Sequence, residues 1–180
     1  MIGRPRRVLV LGGARSGKST FAEGRLHRVR DVEYVACGPV PDAADPEWAD
    51  RVARHRARRP PAWRTVETLD LAGVLSRPGT PVLVDCLTTW LAGTMDACGL
   101  WSGAPDADAR LAAAVDALVG AWATTPRRVT AVSNEVGSGV VPATGAGRRF
   151  RDELGALNAR VAATADRVWL LTAGIPQRLR

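Results

Sequence analysis

The chain has 180 residues, enough for one domain with a substantial core and short for two. Its 46% hydrophobic and 24% charged residues are ordinary globular values, and no apolar run reaches the ~18 residues of a membrane span. A net charge of +7 fits anionic ligands, but the arginines are dispersed, densest at residues 51–59 and without interleaved aromatic residues, which favours small phosphates over nucleic acid. Cys37, Cys86 and Cys98 show no C-x-x-C spacing, so neither a disulfide framework nor a zinc site is expected, only reduced thiols. The basic N-terminus passes straight into an apolar strand without a signal-peptide pattern, so a cytoplasmic location is expected.

That strand is Val8-Leu9-Val10-Leu11, and Gly12-Gly13-Ala14-Arg15-Ser16-Gly17-Lys18-Ser19-Thr20 follows at once. The run matches G-x-x-x-x-G-K-[ST] at every fixed position, between a buried-strand pattern and a helical one, which is the context of a phosphate-binding loop. Backbone N–H groups must wrap the phosphates, and side chains at Gly12, Gly13 and Gly17 would obstruct them. Lys18, the only lysine in the chain, is placed to reach the β- and γ-phosphates. Ser19 offers a hydroxyl to Mg²⁺, and the helix starting near Lys18 directs its positive end at the anion.

The pattern then predicts a helix over 20–30 and a buried strand over 32–37, closed by Gly38-Pro39. Asp45-Pro46 is a helix start and Pro60-Pro61 a stop, giving a helix over 46–59 with Trp48, Val52 and His55 on one face. A short strand over 63–68, a short helix over 70–75 and a strong strand over 81–86 come next. The last ends in Asp85, at the carboxyl end where a parallel sheet presents its ligand site. Asp85 is a candidate Walker-B carboxylate for Mg²⁺; capping the following helix through Thr88 or Thr89 is the alternative. Helices are expected over 87–97, 106–122 and 147–165, a surface loop over 99–105, and strands over 128–133 and 167–172. Asn134-Glu135-Val136-Gly137-Ser138-Gly139-Val140-Val141-Pro142 leaves the carboxyl end of the 128–133 strand. Five apolar strands alternating with helices imply a single three-layer α/β domain over 1–180, of the P-loop NTPase (RecA-like) type with a mainly parallel central sheet.

His55 lies in Arg54-His55-Arg56-Ala57-Arg58-Arg59-Pro60-Pro61-Ala62-Trp63-Arg64-Thr65-Val66-Glu67. Neighbouring guanidinium groups disfavour a second positive charge, which suits a neutral nucleophilic imidazole, and they can neutralise a phosphate. From these residues alone, a histidine packed beside Trp48 and Val52 on the inner face of the helix is the favoured reading.

Four segments together resemble one family: the Gly12 to Ser19 loop, the His55 to Glu67 run, Val84-Asp85-Cys86-Leu87-Thr88-Thr89, and the Ser133 to Pro142 run. It is the bifunctional adenosylcobinamide kinase / adenosylcobinamide-phosphate guanylyltransferase family of cobalamin biosynthesis. The likeness extends to Phe150-Arg151-Asp152, Asn158 and the ending around Gly174-Ile175. It implies phosphorylation of adenosylcobinamide by ATP or GTP, then transfer of GMP from GTP through a guanylyl-histidine at His55. It further implies Lys18 as a catalytic residue, Mg²⁺ held by Ser19 and Asp85, a homotrimer, and corrinoid and nucleotide as the only partners. Nucleotide contacts are implied for Gly12 to Thr20, Ala36, Cys37, Gly38, Arg56, Ala57, Arg58, Arg59, Glu67 and Asp85. Many members have a histidine where Arg54 stands, and some a glutamate where Asp85 stands. A small-molecule P-loop kinase without the guanylyl step is the alternative.

Overall fold

The computed structural model describes residues 6–38 and 45–180, so Pro39, expected to close the second strand, lies outside the described residues. Seven strands, β1 (Arg7–Gly12), β2 (Glu33–Ala36), β3 (Arg64–Glu67), β4 (Val82–Asp85), β5 (Val129–Asn134), β6 (Arg167–Thr172) and β7 (Ile175–Arg178), form one sheet. Their order is β3-β2-β4-β5-β1-β6-β7, parallel throughout except for the β6–β7 pair. The helices are α1 (Lys18–Leu26), α2 (Pro46–Ala57), α3 (Leu71–Ser76), α4 (Leu87–Ala97), α5 (Ala107–Thr124) and α6 (Gly145–Thr164).

Successive strand residues face opposite sides of the sheet, so the apolar run of β1 serves two cores. Val8 and Val10 pack with Ala22 and Leu26 of α1, Leu83 and Val132 on one side. Leu9 and Leu11 pack on the other with residues of α3, α4, α5 and α6, among them Trp90, Leu118, Trp122 and Leu154. The result is the three-layer arrangement that the alternation of elements predicts.

Element ends differ from the sequence reading for local reasons. α1 stops at Leu26 rather than 30, because the Val29 N–H turns back to the Leu26 carbonyl (2.7 Å) and the Val29 carbonyl accepts from the Trp63 indole (3.2 Å). α2 ends at Ala57, two residues early, since proline at 60 disfavours helical backbone at 59. α6 starts two residues early, where the Thr144 hydroxyl accepts from the Gly147 N–H (3.1 Å). β7 was not expected at all: Ala173 (φ 50°) and Gly174 (φ 81°) turn the chain back, pairing Thr172 with Ile175.

Register aligns the site. Ala36 is opposite Glu67 on one side and Asp85 on the other, so Glu67, Ala36 and Asp85 form a row across the carboxyl ends of β3, β2 and β4. Gly12, where β1 gives way to the phosphate loop, is opposite Asn134 at the end of β5.

Candidate active site

The three loop glycines are required for different reasons. A Cβ at Gly12 would lie 2.4 Å from Ser16 Oγ and 2.8 Å from the Leu171 carbonyl, so this glycine is fixed by packing within the protein. Gly13 has open space around it, the clearance that a ligand needs. Gly17 has φ 88°, the left-handed conformation that glycine adopts without strain, at the N-terminus of α1. Only Gly13 therefore keeps the simple role of leaving room for phosphate. Ala14, Arg15 and Thr20 are exposed; the Ser16 hydroxyl is buried without a hydrogen-bond partner among the described residues. The Gly174 N–H donates to the Ser16 carbonyl (3.0 Å), bracing the loop from the β6–β7 turn.

Lys18 is only 8% exposed and donates to the Gly13 carbonyl (3.0 Å), so its ammonium is folded back onto the loop. Burial pushes its pKa down, partly offset by the nearby Cys86 and Asp85.

Asp85 is where the elements converge. Its Oδ1 accepts from the Ser19 hydroxyl (3.3 Å), and its Oδ2 accepts from the Tyr34 hydroxyl (2.8 Å) and lies 3.6 Å from His55 Nδ1. Burial raises the carboxyl, but His55, Tyr34 and Ser19 pull it down by more, so it lies below the usual carboxylate range and is ionised. Capping is done elsewhere: Cys86 is the N-cap of α4, with its backbone N–H reaching the Thr89 hydroxyl, and Thr88 accepts from the Asn134 N–H (2.8 Å). Asp85 is thereby free of the capping role.

α2 starts where Asp45 and Pro46 predict, with the Asp45 side chain accepting from the Trp48 N–H (2.9 Å). Trp48, Val52 and His55 do share a face, but it is the wall of a cleft, and α2 has no fully buried residue. The packed-core reading of His55 fails on that point. Across the cleft lie Tyr34, Ala36, Asp85 and Glu67. Gly38 passes under Trp48 so closely that a Cβ would meet the indole at 2.5 Å.

The arginines after His55 diverge. Arg56 pairs with Glu67, and Arg59 lies 3.3 Å over the Tyr34 ring while donating to the Thr65 hydroxyl (3.0 Å). Both line the cleft, whereas Ala57 and Arg58 do not. Arg58 instead grips Glu23 of α1 through two contacts of 3.2 and 3.3 Å. Arg54, at the position where the resemblance allows histidine, pairs outward with Asp50 (2.8 Å). Cys37 has its side chain in the core with its thiol pushed up by burial, so only its backbone is available to a ligand. Cys37, Cys86 and Cys98 are all free.

Sequence reasoning missed Glu23 and Tyr34. Glu23 is 8% exposed, and one oxygen of it, one nitrogen of His55 and one oxygen of Asp85 all lie within 4.8 Å of one another. Its signal was present: it follows Ser19 by four residues and precedes Leu26 by three, on the buried side of α1. Among the described residues, no helix is long and apolar enough to cross a membrane.

The family model described as cobinamide kinase / cobinamide phosphate guanyltransferase matches residues 8–179. The bifunctional adenosylcobalamin biosynthesis protein CobU of Salmonella typhimurium is 37% identical over 187 residues, covering 96% of this chain and 99% of its own. The bifunctional adenosylcobalamin biosynthesis protein CobP of Pseudomonas aeruginosa is 42% identical over 180 residues, covering 97% of each chain. Among solved structures, an ATPase from the type III secretion system of pathogenic bacteria superposes with a TM-score of 0.54 at 14% identity, over 93% of this chain and 52% of that one, a likeness of fold alone. With a phosphate loop, a cleft-wall histidine and near-complete coverage of these relatives, the chain belongs to the cobinamide kinase / cobinamide phosphate guanyltransferase family.

Proposed function

We propose that this chain performs two transfers over one nucleotide cradle. In the first, the hydroxyl oxygen of adenosylcobinamide attacks the γ-phosphorus of ATP or GTP; its proton passes to solvent, the bond to the β-phosphate oxygen breaks, and a nucleoside diphosphate leaves with that bonding pair. In the second, a neutral His55 nitrogen attacks the α-phosphorus of GTP. A P–N bond forms while the P–O bond to pyrophosphate breaks, and that bonding pair leaves with pyrophosphate. An oxygen of adenosylcobinamide phosphate then attacks the same phosphorus, and the P–N pair returns to the imidazole, giving adenosylcobinamide-GDP.

The observation that carries this reading is the shared carboxylate: Asp85 touches Ser19 of the phosphate loop with one oxygen and faces His55 with the other. A residue that attacks an α-phosphate must stand beside the cradle holding the β- and γ-phosphates, and Asp85 links the two. With Nδ1 turned toward Asp85, Nε2 is the nitrogen left to attack, and the ionised carboxylate faces the positive charge that develops on the ring. Lys18, folded onto Gly13, swings to the phosphates as they fill the loop. Arg56 and Arg59 line the same cleft and supply charge for the triphosphate.

Ser19 and Asp85 present two hard oxygen donors in contact, which fits Mg²⁺ and would hold it. When bound, Mg²⁺ neutralises charge on the phosphate oxygens. The reading includes a homotrimer, which light scattering tests as three times the 19.1 kDa chain mass.

Incubation with α-labelled GTP and Mg²⁺ tests the second transfer. The expected result is an acid-labile label on the protein that is absent from His55→Ala. A wild-type protein that phosphorylates adenosylcobinamide yet acquires no label is a kinase only, and the guanylyl step is then wrong.

A further inference from the structure

We infer that Glu23 is a positioning residue for guanylyl transfer: it registers the His55 segment on the helix that carries Lys18 and Ser19. The inference rests on the reading of His55 as the nucleophile.

Three observations converge on it. First, α2 has half-buried residues but no fully buried one, so polar contacts add to packing in placing His55. Second, those contacts divide by destination. Arg56 reaches Glu67 on β3, Arg59 reaches Thr65 on β3 and Tyr34 on β2, and His55 itself faces Asp85 on β4. Arg58, three residues after His55, runs to Glu23 and so ties this segment to α1. Third, Glu23 is a buried carboxylate whose guanidinium partner is 40% exposed, and it brings an oxygen within 4.8 Å of both the imidazole and Asp85. The ring thus has Asp85 facing Nδ1 and Glu23 close by; Asp85 touches Ser19, and Glu23 stands on the same helix as Ser19.

Attack on phosphorus needs the nitrogen within about 3–3.5 Å of the α-phosphorus and in line with the leaving oxygen. The cradle fixes the phosphates relative to α1. A contact from α1 to the His55 segment therefore fixes nucleophile and electrophile in one frame, whereas contacts to β2 and β3 fix the segment only relative to the sheet. Phosphoryl transfer to the corrinoid hydroxyl makes no use of the imidazole, so it is indifferent to this tie.

The test compares two activities of the same purified chain, label formation from α-labelled GTP and phosphorylation of adenosylcobinamide. Glu23→Gln is expected to slow labelling about ten- to a hundredfold, as loss of an orienting partner typically does, with phosphorylation changed less than about twofold. Arg58→Ala is expected to slow labelling similarly, and the double variant to be no slower than either single one, since both remove one contact. Labelling at the wild-type rate in Glu23→Gln overturns the inference while the guanylyl step stands. So does an equal fall in both activities with a lowered Tm, which marks a merely structural acid. Additive losses in the double variant also overturn it, because the two residues then act separately. Absence of label from the wild type overturns the guanylyl reading itself, a distinguishable failure.

Discussion

Helices α2 and α5 are attached to the same sheet by different means. α5 presents Leu111, Val115, Leu118, Ala121 and Trp122 to the core, and the Trp122 indole, 1% exposed, donates to the Val161 carbonyl of α6 (3.1 Å). α2 has no fully buried residue, and beside the half-buried Trp48 and Val52 its segment is held by arginines, a histidine and their acidic or aromatic partners. Apolar burial is non-directional and, at roughly 25 cal/mol per Å², cumulative, so α5 contributes stability wherever its side chains interdigitate. The solvated Arg56–Glu67 pair contributes at most about 1 kcal/mol, and the pairs to the buried acids Glu23 and Asp85 offset the cost of desolvation only in a particular geometry. The helix that carries the proposed nucleophile is thus attached largely by contacts that specify orientation.

That contrast has a measurable edge. The largest effect is expected from His55→Ala, which removes the proposed attacking nitrogen: label formation should fall at least about 10⁴-fold, more than about 5 kcal/mol of transition-state stabilisation, with Tm lowered less than by a core truncation. A Tm loss comparable to that of a core variant would show that α2 is held by packing after all. Next comes Trp122→Ala, expected to cost about 3–5 kcal/mol in denaturant unfolding while the folded fraction keeps both activities. Arg56→Ala is expected to change stability by less than about 1 kcal/mol, since both partners are solvated, but to raise the KM for GTP in both transfers. Unchanged nucleotide kinetics there would remove Arg56 from the site.

The mildest effect is on the acid side. Asp85 and Asp166 are each raised by burial and lowered by more through their donors, His55 and Tyr34 for the first and the Arg7 and Arg6 N–H groups for the second. Their folded pKa values lie below the unfolded ones, so their stabilisation is complete above about pH 4 and is lost as pH falls through the folded values. Thermal melts should be flat from neutral pH to about pH 5 and fall below about pH 4, with a shallower fall in Asp166→Asn. Loss of stability between pH 7 and 5 would contradict this account.

The phosphate loop was legible because glycine, lysine and serine at fixed spacing have one economical use between a strand and a helix. The cleft face of α2 was legible from the spacing of Trp48, Val52 and His55, although that spacing did not tell a core from a cleft wall. The parallel sheet followed from apolar runs separated by helical patterns, and α4 was bounded at Leu87 and Ala97 because its cap and apolar spacing agree. β7 was not legible: Ile175, Pro176, Gln177 and Arg178 are all exposed, so no burial pattern marks them, and the turn before them uses Ala173 where a hairpin signal would show asparagine or aspartate. The spacing of Glu23 from Ser19 and Leu26 marked the face it lies on but not its role, because its partner Arg58 lies 35 residues away. The separate duties of Gly12, Gly13 and Gly17 were equally hidden, since the motif records that glycine is needed and not what a side chain would strike.

The brace between Gly174 and Ser16 bears on how the molecule is made. β1 and its loop leave the ribosome first, yet both neighbours of β1 come from residues beyond 128, and the turn that steadies the loop comes from residues 173 and 174. Such distant pairings close late and slowly. A nascent chain halted before β6 would carry the whole phosphate-binding motif without a formed cradle, so nucleotide capture should begin only when residues 167–174 have emerged and paired.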